Sequence, residues 1–378
     1  MLLWGGLAFF GLQLLLGGFM EVSPGHRDAL FQRKLTACQQ CLKQADPAAL
    51  KVIFLGSSRT LHGFAAGELT NIETADVSAA DGSPSPSQPV VAYNFGARGF
   101  GPVGTLLNLR RLLNAEVRPD LVLIEVMPPW FDSGMVELAP DRIAPGSLSF
   151  GEVQFIDRFA TSRTELWGEW AWSRVFPCVA QRARLLSLVE PNLLLEKERI
   201  EFIDLDAHGF DRLDDSYPAT VRDAGRKAME HEYHNLLQNF QLGDLQCAAL
   251  RQTVQLCQTE KLPCVLVYAP EGPAMHNLYP PAVLASVEQL VADLSHEFGV
   301  PVIDGRNWLP EDAFLDSHHP LRPSAVQSAQ SLATALANCW PQLAPQLTRP
   351  DLACNARAKL PLRLASEPSD ATVNRQRH

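Results

Sequence analysis

Short apolar runs recur along the chain, each bounded by glycine, proline, asparagine or aspartate. Five stand out: Lys51–Leu55 (KVIFL), Val90–Asn94 (VVAYN), Leu121–Val126 (LVLIEV), Cys264–Tyr268 (CVLVY) and Val300–Ile303 (VPVI). Their length and their β-branched and aromatic content predict buried parallel strands. Stripes at helical spacing lie between them. Leu106, Leu107, Leu109, Leu112 and Leu113 form one stripe, and Val283, Leu284, Val287, Leu290, Val291 and Leu294 form another. This alternation predicts an α/β fold with right-handed crossovers. The expected sheet has five parallel strands in the order 2-1-3-4-5, with helices on both faces.

Two segments interrupt the pattern. Thr74–Gln88 holds the polar run DGSPSPSQ and predicts a flexible loop. Positions 128–243 form a long insertion between the third and fourth runs. It carries Trp167, Trp170 and Trp172, then a helix-like stretch from Ala219 to Phe240. A mostly helical cap or side layer over the sheet is expected. The tryptophans fit either a small core or a sugar- or lipid-binding surface. From Pro341 to His378 the chain turns polar and proline-rich, which predicts a disordered tail.

Leu2–Met20 is a stretch of 19 residues without a charge. That is long enough to cross a bilayer. A membrane anchor, a cleaved signal peptide and a buried helix all fit. The lack of a small-x-small cleavage site favours an anchor over residues 1–21, with the α/β domain over 22–340. No Lys or Arg precedes the stretch, while Arg27, Arg33 and Lys34 follow it. The positive-inside rule alone keeps the domain in the cytoplasm. A start that hides upstream basic residues reverses this, and an extracytoplasmic domain is the expectation.

The formal net charge is -10 and no basic cluster stands out, which argues against nucleic acid as a partner. Hydrophobic content of 46% with 20% charged residues fits a globular chain. Among the eight cysteines, Cys38 and Cys41 have C-x-x-C spacing, which predicts a small disulfide or two free thiols. Cys264 belongs to an apolar run and reads as core. His231 and His234 lie three apart, not four, so a solvated helix face is the better reading than a zinc site.

Ligands of open parallel sheets bind beyond the C-terminal strand ends, and the candidate residues fall there. Gly56-Ser57-Ser58-Arg59 follows the first strand and Asn94-Phe95-Gly96-Ala97-Arg98-Gly99 the second. Glu271 follows the fourth, and Asp316-Ser317-His318-His319 lies after the fifth. A serine hydroxyl needs a histidine to take its proton, and that histidine needs an acid to hold its tautomer. Each motif alone has a plain structural reading. Gly-Ser-Ser suits a helix N-cap, and Asp316 suits a turn cap. His318 is a rival base to His319. Arg59 either binds an anionic substrate group or pairs with a carboxylate. Joint metal binding by Asp316, His318 and His319 is a weaker alternative.

In these blocks the chain resembles the SGNH (GDSL-like) hydrolase superfamily over roughly Lys51–Leu336. Gly56-Ser57-Ser58 stands for the family's Gly-Asp-Ser, a variant found in the branch with the D-alanyl transfer protein. Gly99 closes the second block, and Asp316-x-x-His319 matches the last. Tyr268–Tyr279 is similar to membrane-anchored members, a group that includes polysaccharide O-acetyltransferase types. The resemblance implies a flavodoxin-like three-layer α/β/α fold. It also implies a serine esterase or O-acyltransferase acting on a carbohydrate or cell-envelope polymer. Ser58 would be the nucleophile, His319 the base and Asp316 its orienting acid. The amides of Ser58 and Gly99 would hold the oxyanion, Arg59 and Glu271 would meet substrate, and no metal or organic cofactor is needed. The third block departs. Where the family has an oxyanion-donating Asn, this chain has Val126-Met127-Pro128-Pro129-Trp130. Another donor near Pro128–Asp132, from the insertion or from Arg59, is then required, or the activity is weak. The alternative is a catalytically inactive binding or scaffold protein at the membrane.

Overall fold

The structure is a computed structural model that describes residues 2–70, 89–139, 142–182 and 205–343, with single positions at 186, 190, 193 and 346. The loop Thr74–Gln88 and the tail beyond Leu343, Gln346 apart, lie outside the described residues. The last described helix, Arg322–Leu343, runs three residues past the boundary expected at 340.

All five apolar runs are strands: β1 (Leu50–Leu55), β2 (Val90–Asn94), β3 (Leu121–Val126), β4 (Cys264–Tyr268) and β5 (Val302–Asp304). They pair in parallel in the order β2-β1-β3-β4-β5, as expected. β5 is shorter and shifted, because Pro301 cannot donate to the ladder. Side chains alternate between the faces. Ile53, Leu55, Val122, Ile124 and Leu266 pack under helices Ala29–Gln44, Pro102–Asn114, Asp244–Thr259 and Pro281–Phe298. Val52, Phe54, Leu121, Leu123, Val265 and Val267 pack on the opposite face, under Leu332 and Leu336 of helix Arg322–Leu343. Both faces are covered, which explains why the strands read as unbroken apolar runs. The fold is a three-layer α/β sandwich.

The insertion is built onto this sandwich at two places. Leu148, Val153, Ile156, Phe159 and Leu166 pack on Val103, Leu106 and Leu107 of helix Pro102–Asn114. Met229, Tyr233 and Leu237 of helix Ala219–Gln238 pack on Met127, Trp130, Met275 and Tyr279, at the C-terminal strand edge. A buried carboxylate secures the first contact. Glu137 accepts from the amides of Gly101 (2.7 Å), Val103 (3.0 Å) and Gly104 (2.9 Å). These are donors that the first turn of helix Pro102–Asn114 leaves unpaired. Trp167 and Trp170 pack with Phe150, whereas Trp172 is exposed. His231 and His234 are both solvent-facing.

Leu2–Val22 is one helix. Among the described residues it is the one helix long and apolar enough to cross a membrane. An apolar surface all round predicts that such a helix projects without packing. Instead one side is docked on the insertion. Gly17 lies against the backbone of Arg174, Gln13 is buried against Cys178, and Glu21 pairs with Arg174 at 3.1 Å. The helix is otherwise mostly exposed, and the expectation fails only along the docked side, because Gly17, Gln13 and Glu21 share a face that overall hydropathy does not register. Cys38 and Cys41 are free thiols, as are the other cysteines among the described residues, and Cys264 is buried in the core.

Lys34 is buried beneath the sheet edge. Its Nζ donates to the carbonyl of Gly96 at 2.5 Å and sits 5.4 Å from the Phe95 ring centre. Burial pushes the ammonium down to about 7, with Asp211 and Cys38 pulling the other way. Between pH 7 and the unfolded value of 10.5 the unfolded chain therefore holds a proton that the folded chain has released. Stability from this group rises with pH across that window. In chemical denaturation, the stability of wild type relative to Lys34→Met should rise between neutral and mildly alkaline pH. A difference that stays constant with pH would show that Lys34 is not desolvated.

Candidate active site

The turn after β1 is shaped by a residue the sequence reading passed over. Glu125, next to last in β3, accepts from the Ser57 amide (2.7 Å), the Ser57 hydroxyl (2.9 Å) and the Thr60 hydroxyl (2.5 Å). A side chain at Gly56 would run into Thr60 Oγ1 and Glu125 Oε2. Glycine is therefore the residue that lets the carboxylate close on the turn. Ser57 caps the helix Ser58–Gly63 by accepting from the Arg59 amide at 3.1 Å. The N-cap reading is thus correct for Ser57, and Ser58 is left as the first helical residue. A charged residue inside an otherwise apolar strand is the signal that could have singled out Glu125.

Ser58 Oγ lies 2.8 Å from His319 Nε2, and His319 Nδ1 lies 2.8 Å from Asp316 Oδ2. Asp316 Oδ1 accepts from the His319 amide at 2.9 Å, so the same carboxylate caps the turn and orients the ring. Burial alone would raise the Asp316 carboxyl. The charge of His319 and the bonds from its ring and amide outweigh burial and hold it well below its usual range. An ionised carboxylate only accepts, which places the His319 proton on Nδ1 and leaves Nε2 free to take one from Ser58. Ser317, between them, has φ +73. Its hydroxyl donates to Glu311 at 2.6 Å, and its carbonyl accepts from Gly272 at 2.7 Å. These bonds fix a backbone conformation that is uncommon for serine.

Two further histidines flank His319. The His318 ring stacks beside it, with centroids 4.0 Å apart, and the His62 ring meets it edge-on at 5.4 Å. Burial, then the charge of His319, lowers each to about 3, so both stay neutral. His318 Nδ1 is buried without a hydrogen-bond partner, and Ser58 bonds to His319 instead. His318 is therefore not placed as the base. His62, four residues after Ser58, was not read as a site residue; its Nδ1 lies 2.7 Å from the Asp211 carbonyl oxygen. The ligand-type atoms of Asp316, His318 and His319 lie within 4.8 Å of one another. Both His319 nitrogens are already engaged, which leaves poor material for an ion.

The loop after β2 closes over the turn. Asn94 donates to the carbonyls of Thr60 (2.7 Å) and Phe64 (2.9 Å) and accepts from the Gly96 amide (3.0 Å). The Ala97 amide donates to the Gly56 carbonyl at 2.9 Å. Gly99 has φ +72, the left-handed region that suits glycine. Arg142 of the insertion lies against it: a Cβ at Gly99 would be 3.0 Å from Arg142 Cγ. The guanidinium of Arg142 stacks over Trp130 at 5.0 Å and donates to the Val136 carbonyl at 3.2 Å. Arg98 pairs with Asp211 at 3.0 Å.

Arg59 and Glu271 require a correction as substrate-binding residues. They pair with each other at 2.8 Å, and each side chain is only 1% exposed. Arg59 also donates to the carbonyls of Ala269 and Pro270, and Tyr279 donates to Glu271 at 2.7 Å. Burial alone would raise the Glu271 carboxyl, but Arg59 and its other donors hold it low. With these commitments Arg59 cannot supply the missing oxyanion donor either. The pair is an internal brace, because a guanidinium in this dry interior needs a carboxylate partner.

Removing one member of a desolvated pair typically costs about 3–5 kcal/mol. Glu271→Ala should lose about that much unfolding free energy in chemical denaturation. A loss of only a few tenths would mean that Arg59 finds another partner and that the brace is dispensable.

A scan of protein-family models finds none that matches this chain, and a search of the curated proteins finds no relative.

Proposed function

We propose that the chain is a membrane-anchored serine esterase or O-acyltransferase of the SGNH type. The hydrogen-bond chain Ser58–His319–Asp316, with both links at 2.8 Å, carries this reading. Ser58 Oγ attacks the carbonyl carbon of an acyl ester while its proton passes to His319 Nε2. Asp316 stabilises the imidazolium that forms. The amides of Ser58 and Gly99 receive the developing oxyanion. His319 then hands the proton to the departing alcohol oxygen, leaving an acyl-Ser58. Water, or the hydroxyl of an acceptor, attacks that ester with His319 as base and regenerates Ser58. The first acceptor makes the protein an esterase and the second an O-acyltransferase.

Arg142 replaces the missing asparagine of the third block in this reading. Its aliphatic stem lies against Gly99 on the side of Trp130, where the third block ends, and its guanidinium, now on Met135 Sδ and the Val136 carbonyl, turns from these towards the oxyanion in this reading. The substrate class, an acyl ester on a carbohydrate or envelope polymer, follows from the resemblance. It is consistent with an apolar N-terminal helix that keeps the domain at a membrane. Such a substrate places the domain outside the cytoplasm. The free thiols and the positive charges after the helix favour the opposite side, so protease accessibility in intact cells decides the orientation.

The second reading is a catalytically inactive binding protein. The Pro128–Phe131 turn favours it, since no asparagine is present there.

A fluorophosphonate probe should label wild type, and Ser58→Ala should not be labelled. Absence of labelling in a folded wild type would pass the case to the inactive reading. Asp316→Asn should reduce turnover by about 10⁴-fold through the wrong tautomer. Loss of one oxyanion donor costs about a hundredfold or more in comparable enzymes. Arg142→Ala should therefore lower kcat by about that factor with little change in KM. A change in KM alone would make Arg142 a binding residue instead.

A further inference from the structure

The contact between the N-terminal helix and the insertion has a direction. Glu21 meets Arg174, Gly17 meets the Arg174 backbone, Gln13 meets Cys178, and Phe10 meets Phe176 with ring centres 6.1 Å apart. The insertion therefore runs down the helix from its last turn towards its middle. At 1.5 Å of rise per residue, Cys178 lies about 12 Å and Phe176 about 16 Å below the level of Glu21. A bilayer core is about 30 Å thick.

We propose that the segment Val175–Ala180, together with the Trp172 ring, enters the lipid beside the N-terminal helix. The inference rests on reading Leu2–Val22 as a membrane-crossing helix. It does not need the esterase reading. The domain would then sit on the bilayer through a two-part wedge, where a single helix would act as a flexible tether.

Polarity changes where such a wedge requires it. Val175-Phe176-Pro177-Cys178-Val179-Ala180 carries no charge. The neighbouring charge on one side, Arg174, is paired with Glu21, and charge resumes on the other side only at Arg182. Trp172, Val175 and Val179 are exposed, as are Phe9 and Phe10 of the N-terminal helix. Trp172 stacks near Phe176 at 4.2 Å, so the rings of Phe9, Phe10, Phe176 and Trp172 make one continuous aromatic path. The Trp172 ring, against Phe176, lies at the depth of the acyl chains.

The backbone is prepared for an environment without water. In hydrocarbon every amide needs an internal partner. Phe176 donates to Trp172, Val179 and Ala180 to Phe176, and Gln181 to Pro177. Cys178 donates to the Gln13 side chain at 3.3 Å, and Pro177 has no N–H. Gln13 is itself the one polar side chain between Leu2 and Met20, and it is 2% exposed. Its Nε2 contacts Cys178 Sγ at 3.2 Å. A glutamine at bilayer depth needs such a partner.

The occupant of this surface is lipid acyl chain. The exposed patch continues the side of a helix whose own surroundings in a bilayer are lipid. Above it, charged contacts hold the wedge at a fixed angle to the domain. Arg27 caps the carbonyls of Met20 and Glu21, and Arg111 bridges Asp28 and Glu152.

The test is photolabelling of the full chain in phosphatidylcholine vesicles that carry a diazirine in mid-acyl chain. Peptide mapping should find adducts in Leu3–Val22 and also in Trp172–Ala180. Adducts in the N-terminal helix alone, or cross-links between copies through Trp172–Ala180, would overturn the wedge while keeping the anchor. No adducts in either segment would remove the anchor reading as well. A second measurement does not depend on peptide recovery. Lipids brominated in mid-acyl chain should quench wild-type tryptophan fluorescence more than that of Trp172→Phe, and equal quenching would count against the wedge.

Discussion

The buried pair Arg59–Glu271 is the interaction through which the separate parts of the site hold their positions. Arg59 immediately follows Ser58, and Glu271 lies in the loop after β4. The amide of the next residue, Gly272, bonds to the carbonyl of Ser317, inside the loop that carries Asp316 and His319. A continuous path of strong contacts thus runs from the serine to the histidine loop across the sheet edge. Both charges are out of water, so neither tolerates the loss of the other. Glu125 does similar work on the other side of the turn, where one carboxylate satisfies three donors.

The surroundings of His319 explain why one histidine of three is placed to take the proton. The His62 and His318 rings each lie against His319, yet both are buried and kept neutral by desolvation and by the charge of His319. His319 alone has an ionised carboxylate on one nitrogen and a hydroxyl on the other. A charge that forms on His319 is therefore balanced by Asp316 and is not shared with its neighbours.

The insertion serves two surfaces at once. Glu137 grips the first turn of helix Pro102–Asn114, next to the Gly99 loop, and Arg142 lies on Gly99 itself. Further along, Arg174 and Cys178 grip the N-terminal helix. The site and the proposed membrane contact are thus joined through one packed layer.

Apolar runs at strand length, with helical stripes between them, determined the sheet and its layers, because a parallel sheet buried on both faces needs that pattern. The spacing Asp316-x-x-His319 and the small residues at 56–58 marked the site for a similar local reason, since a turn and a cap are encoded within a few residues. Other features depended on partners far apart in the chain. Arg59 could have faced a substrate or a carboxylate, and only the approach of Glu271, 212 positions away, made it a brace. Glu125, His62 and Glu137 have no motif around them; they gain their roles from the groups that folding brings within hydrogen-bond reach. The N-terminal helix makes the same point. Its length and hydropathy were legible, but its docked face was not, because Gly17, Gln13 and Glu21 become one surface only when Arg174 and Cys178 lie against them.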